Sequence, residues 1–144
     1  MTDSIFPFVD PQETEITTQQ ELSFAKEWAW DFKRLDFKTK NGKMYLVEGT
    51  EAVKVWIWKL FMTQRYRALI FTWDYGNELE NLIGKGYTQG LVNAEAERYV
   101  REATGYNLKG YVTDVRNVIT TFRDETLTIE FIAITPYGEV EISV

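Results

Sequence analysis

Two groups of residues in this chain could do chemistry. Arg65 lies in FMTQRYRALIF, with Asp74, Glu78 and Glu80 following it. A pair of carboxylates can cleave a glycosidic bond when one acid is desolvated and keeps its proton while the other stands at a set distance across the sugar. Asp74 and Glu78 are the candidate pair. An arginine beside them lowers their pKa values, the wrong direction for a general acid. The same residues read better as an anchor, because a guanidinium among apolar neighbours needs carboxylate or carbonyl acceptors for its five donors. Arg65, Tyr66, Trp73, Asp74, Tyr75, Gly76 and Glu78 form this anchor segment, either closing a structural ion pair or presenting the arginine to a partner. The second group, Lys59, Arg65, Tyr66 and Arg67, imitates the basic aromatic patch of a nucleic-acid binder. A net charge of −6 opposes that reading, and no nucleic-acid motif accompanies it.

Other chemistries are excluded by what the chain lacks. With no cysteine and no histidine, it has no disulfide, no thiolate or histidine-based catalytic triad and none of the usual zinc sites. Gly84-Lys85-Gly86 is not a phosphate loop, since no lysine-serine or lysine-threonine pair closes it and no parallel strand precedes it. No cofactor and no metal are therefore expected. The longest apolar run is far short of a membrane span, and MTDSIFPFVD lacks the basic and apolar regions of a signal peptide. A soluble chain made in a cytoplasm, with no membrane partner, is the expectation. Aromatic residues make up 15% of the chain, with five tryptophans. That composition leans toward a protein-binding surface, because Tyr and Trp supply rigid contact area in interfaces as well as in cores.

The elements that must position these residues start with a helix from about Glu51, with Thr50 as its N-cap. Val53, Trp56, Ile57, Leu60 and Phe61 make one face, and Ala52, Val55, Trp58 and Met62 cover much of the rest. A helix apolar on nearly every side is buried on nearly every side. Trp58 and Met62 therefore meet either the chain's own sheet and arm or a neighbouring protein. Upstream, residues 1–24 read as an extended arm restricted by Pro7 and Pro11, either a solvated tail or a segment ordered on a partner. Residues 25–144 read as one domain. Ala25 to Val47 has the alternation of a two-stranded hairpin turning at Asn41-Gly42.

Downstream of the anchor segment, Asn77 can cap a short helix from Glu78 to Ile83. A second helix spans about Gln89 to Ala103, capped by Thr88 and stopped at Thr104-Gly105, with Glu102 on its wet side. Val115 to Phe122, Thr126 to Thr135 and Glu139 to Val144 then form an antiparallel meander. Its last strand alternates Val140, Ile142 and Val144 against Glu139, Glu141 and Ser143, and is read as an edge open to another protein's strand or as the closure of the chain's own sheet. On the first reading, removing 139–144 leaves a folded chain. The fold class is α+β: a small domain with two main helices, an N-terminal hairpin and a C-terminal three-stranded meander.

TQRYRALIFTWDYGNELENLIG resembles the XkdS-like family of small baseplate proteins from contractile tails of Gram-positive phages, defective prophages and phage-tail bacteriocins. That family is related more distantly to the sheath-initiator, or inner-baseplate wedge, proteins of contractile injection systems. The resemblance spans roughly 28–144. It rests on Gly49, Glu51 and Ala52, on Thr63, Arg65 and Tyr66, and on Ile70, Trp73, Tyr75, Gly76, Glu78, Leu79, Leu82, Ile83 and Gly84. Gln64 stands where the family pattern has an acid, and Asp74 where it has asparagine. The resemblance implies a structural, non-enzymatic protein in a tail baseplate, assembled in the host cytoplasm in six copies. Its implied partners are hub or tube proteins, wedge proteins and the sheath protein, whose first ring it starts through shared strands.

Overall fold

A computed structural model describes residues 21–67 and 75–144 of the chain. Most of the expected arm, residues 1–20, lies outside the described residues, as do Trp73 and Asp74 of the anchor segment.

The fold is α+β. Six short strands, β1 (Lys26–Trp28), β2 (Trp30–Asp31), β3 (Asp36–Phe37), β4 (Thr39–Lys40), β5 (Lys43–Met44) and β6 (Leu46–Glu48), precede helix α1 (Thr50–Phe61). A 3₁₀ turn (Leu79–Leu82), helix α2 (Gln89–Asn107) and strands β7 (Asp114–Arg123), β8 (Thr126–Thr135) and β9 (Gly138–Ser143) follow. The C-terminal strands form an antiparallel sheet in the order β7-β8-β9, as their alternation requires. Ile129, Phe131 and Ala133 face inward from β8, and Val140 and Ile142 from β9. Helix α1 packs over β9 and α2 over β7. Val53, Ile57 and Leu60 of α1 and Ala96 and Val100 of α2 are completely buried between the layers, and Phe61 meets Phe131 edge-on at 5.4 Å.

Several boundaries differ from the sequence reading. The two-stranded hairpin is three short ladders, β1 with β6 enclosing β2 with β3 and then β4 with β5. The Asn41-Gly42 turn is present, both residues at positive φ (52° and 73°), as a tight hairpin turn demands. A second turn interrupts the first strand after Asp31. There Asp31 accepts from the backbone N–H groups of Lys33 and Arg34, and Leu35 takes a φ of 55°. The N-cap of α1 is Gly49, not Thr50, which is already helical and makes no capping bond. Helix α2 does not stop at Thr104-Gly105 but runs to Asn107, because Thr104 is buried and spends its hydroxyl on the Val100 carbonyl. Thr88 caps its start by accepting from Leu91 N–H. Strand β7 carries a bulge between Arg116 and Ile119, where Asn117 has a φ of 54°. The last strand is not dispensable: Val140 and Ile142 are 5% and 4% exposed core residues, so deleting 139–144 opens the core rather than trimming an appendage.

The chain leaves α1 through a side-chain cap supplied from outside the helix. The Asn77 amide nitrogen, in a residue only 8% exposed, donates to the carbonyls of Leu60, Phe61 and Thr63 at 3.2, 2.9 and 3.0 Å. Its amide oxygen accepts from Leu79 N–H at 3.1 Å, and its backbone pairs with Thr63 and Arg65. Gly76 (φ 118°) makes this approach possible: a Cβ there would lie 2.6 Å from the Thr63 carbonyl oxygen and 2.7 Å from the Arg65 nitrogen. On the same helix, Glu27 of β1 accepts from the Trp56 indole at 2.9 Å and from Lys59 at 3.2 Å. Burial works against its charge, but the bonds from Trp28 N–H, Lys59 and Trp56 outweigh it and hold its pKa below the usual glutamate value.

Two stability predictions follow from these contacts. Asn77→Ala takes the side-chain donor from the carbonyls of Leu60, Phe61 and Thr63. Leu60 and Thr63 keep backbone N–H donors, so the Phe61 carbonyl and the Leu79 N–H are left unpaired, and the expected cost is about 3 kcal/mol, at roughly 1–3 kcal/mol per buried group. Asn77→Asp, of equal size, turns an acceptor toward those carbonyls and costs at least as much; urea denaturation of both variants reads the effect. Because the folded-state pKa of Glu27 is lowered, its contribution is present above the unfolded value and disappears as pH falls through the folded one. The Tm advantage of the parent over Glu27→Gln therefore shrinks on acidification below about 4, the ordinary glutamate range.

Candidate protein interface

The outer edge of β9 is shaped by the register of the sheet. Val144 and Ile129 exchange both of their backbone hydrogen bonds, at 2.7 and 3.0 Å. In an antiparallel ladder such pairs recur at every second residue, so Ile142 and Val140 also spend their backbone groups on β8, opposite Phe131 and Ala133. Glu139, Glu141 and Ser143 consequently point their N–H and C=O groups away from the sheet. All three are exposed, and in the described sheet β9 has a strand on one side only.

A groove of ≈ 520 Å³ runs along this edge. One wall is the outward face of the sheet, with Ile119, Glu130 and Ile132; the other is built by Phe32, Lys54 and Trp58. Trp58 meets the chain's own N-terminal ladders, 5.2 Å from the Trp30 ring and 6.1 Å from Phe32, and it also lines the groove. Lys54 sits 5.4 Å over the Phe32 ring. Met62 does not join them: it lies just past the end of α1, 55% exposed and outside the groove lining. Sequence reading missed Phe32, Lys54, Glu130 and Ile132, because only the folded turn after Asp31 and the sheet register bring them to the edge.

The anchor segment forms a second polar cluster. Arg65 is 2.9 Å from Glu102 and 3.7 Å from Glu78, its side chain 17% exposed. The rings of Tyr66 and Tyr106 lie 5.0 and 6.0 Å from its guanidinium carbon. Burial alone would weaken its charge, but the Glu102 hydrogen bond and the neighbouring charges raise its pKa above the ordinary arginine value. Glu78 was among the carboxylates expected at Arg65. Glu102, assigned to the wet side of α2, was not, and it reaches Arg65 because the Asn77 cap folds the segment back onto that helix. Glu80 is exposed on the 3₁₀ turn, Gly76 and Asn77 are buried, and burial together with the Glu27 charge pushes the Tyr75 phenol up.

Chemically, this cluster pairs its charges within the chain. Glu78 and Glu102 are engaged by the guanidinium, and Lys59 of the basic aromatic group is engaged by Glu27. Among the described residues, no group of three or more His, Cys, Asp or Glu side chains is placed to hold a metal.

No curated protein matches the chain. The sequence model of the contractile injection system sheath initiator family matches residues 26–138, from β1 to the start of β9. The match takes in both helices, the Arg65 cluster and strands β7 and β8. With well over half of its length matched, the chain belongs to the contractile injection system sheath initiators, structural components of a contractile tail that interact with other tail and sheath components.

Proposed function

We propose that the chain is a baseplate component that attaches to hub and wedge proteins and starts the first sheath ring by receiving an extended sheath segment on β9. The observation that carries this is the edge itself: Glu139, Glu141 and Ser143 turn their backbone groups outward, Glu141 and Ser143 line the groove, and the strand is locked to the core by Val140 and Ile142. Main-chain pairing at such an edge supplies affinity, and the side-chain pockets beside it supply specificity. The role is architectural rather than catalytic. The carboxylates nearest Arg65 are engaged as its ion-pair partners, which supports an anchor for the segment after α1 over a carboxylate pair poised on a sugar.

Glu141→Pro tests the edge. Its N–H points away from β8, so proline removes an outward donor without breaking the ladder with β8, and an edge strand tolerates it in that orientation. The variant is expected to stay folded and to enter baseplates, which then carry no sheath; Ser143→Pro repeats the test at a second outward position. Contractile sheaths of normal length on particles containing only these variants would overturn the proposal. For the anchor, Arg65→Ala is expected to cost about 1–2 kcal/mol, between an exposed ion pair and a buried one, and to reduce incorporation into baseplates. Unchanged melting together with unchanged incorporation would remove the anchor role.

A further inference from the structure

The groove also states what kind of strand it takes. Side chains of a strand added to β9 alternate between the two faces of the extended sheet, and those faces differ sharply here. On the outward face, Glu139 and Glu141 stand opposite Ile134 and Ile132, and Glu130 stands opposite Ser143, which puts Glu130 diagonal to Glu141, within reach of long side chains. Among the described residues no lysine or arginine forms an ion pair with any of the three; Arg116, across β8 on the same face, is turned to Asp114 at 3.4 Å. On the inward side, the same edge faces Trp58, Phe32 and the flank of Ile142, with Lys54 over the Phe32 ring.

We infer that the occupant of this groove is an extended segment that alternates basic with aliphatic residues, its lysines or arginines beside Glu139, Glu141 and Glu130 and its aliphatic side chains against Trp58 and Phe32. This rests on the reading that β9 accepts a strand and adds the chemistry by which that strand is chosen. The same acids argue against the other occupant that an open edge invites, a second copy of this chain. Two β9 edges brought together would set Glu139 and Glu141 of one copy beside those of the other, and like charges directly opposite one another are destabilising. An acidic segment is rejected for the same reason, and a wholly polar basic one leaves the aromatic wall uncovered.

Amidated heptapeptides alternating valine with lysine, valine with glutamate and serine with lysine, each carrying an uncharged coumarin at the N-terminus, separate these cases. They are titrated against the full chain by fluorescence anisotropy. The valine-lysine peptide is expected to bind at least tenfold tighter than either of the others, more weakly as salt is raised, and to be lost with Glu141→Pro. Combining Glu139→Lys with Glu141→Lys, both exposed positions, is expected to reverse the preference toward the valine-glutamate peptide. Trp58→Ala is expected to narrow the gap between the valine-lysine and serine-lysine peptides. Equal binding of the lysine and glutamate peptides, both lost with Glu141→Pro, would overturn the basic-strand inference while leaving the open edge intact. Binding of none of the three would count against the edge as a strand acceptor altogether. Sedimentation of the parent as a dimer that Glu141→Pro dissociates would instead assign the groove to a second copy.

Discussion

The arrangement depends on how the last carbonyls of α1 are satisfied. A helix end leaves four carbonyls without helical donors, and a helix packed between β9 and the β1-β6 ladder cannot give them all to water. Asn77 answers with one amide nitrogen shared among Leu60, Phe61 and Thr63. The consequence is geometric. To bring that side chain over the helix end, the backbone at Gly76 must lie against 63–65 closely enough to exclude a Cβ. The same approach pairs Asn77 with Arg65 and turns the guanidinium toward α2, where Glu102 receives it. The cap and the Arg65 cluster are thus one structure, with the buried amide supplying the position and the ion pair adding to it from a more exposed place.

The interface is tied to the core just as firmly. Successive residues of β9 divide their work: Val140 and Ile142 fill the space under α1, while Glu139, Glu141 and Ser143 hold the edge. Since the side-chain period of a strand is two, a slip of one residue would exchange the two sets, so burial of the valine and isoleucine fixes which backbone groups face outward. On the proposed reading, a partner strand meets an edge already in register, and little ordering of β9 is left to oppose binding. The opposite wall is set by α1, whose Lys54 and Trp58 lie one turn apart and rest on Phe32.

How much of this was legible depended on the range of the interaction. Asn41-Gly42, Thr88 and the alternation of Ile129, Phe131, Ala133, Val140 and Ile142 are local signals, and each named its element correctly. The turn after Asp31 was hidden because Leu35, a residue with no preference for positive φ, occupies that conformation. The extension of α2 past Gly105 was hidden because burial of Thr104 and Leu108 outweighs a glycine cost of roughly 1 kcal/mol. Asn77 was legible as a local cap but not as the cap of a helix ending sixteen residues earlier. Glu102 looked solvated on its own helix and became an ion-pair partner only through that same long-range contact. In the groove, Trp58 was visible from helix spacing, whereas Phe32 and Glu130 reach it from elements whose juxtaposition no local pattern encodes.

On the proposed reading, β9 is an edge that pairs with a partner and faces a conflict, since whatever makes it adhesive also makes it aggregate. Shortening it, bulging it or placing proline in it would protect the chain and would also close it to a partner. The bulge in this sheet lies instead in β7, on the far side of β8, so β9 stays regular along the six residues from Gly138 to Ser143. Protection comes from charge, which unlike steric blocking discriminates between partners: Glu139 and Glu141 repel a second copy of the same edge yet attract a strand of opposite sign. Strand β9 can therefore stay regular and open in a free chain while remaining specific about what it accepts.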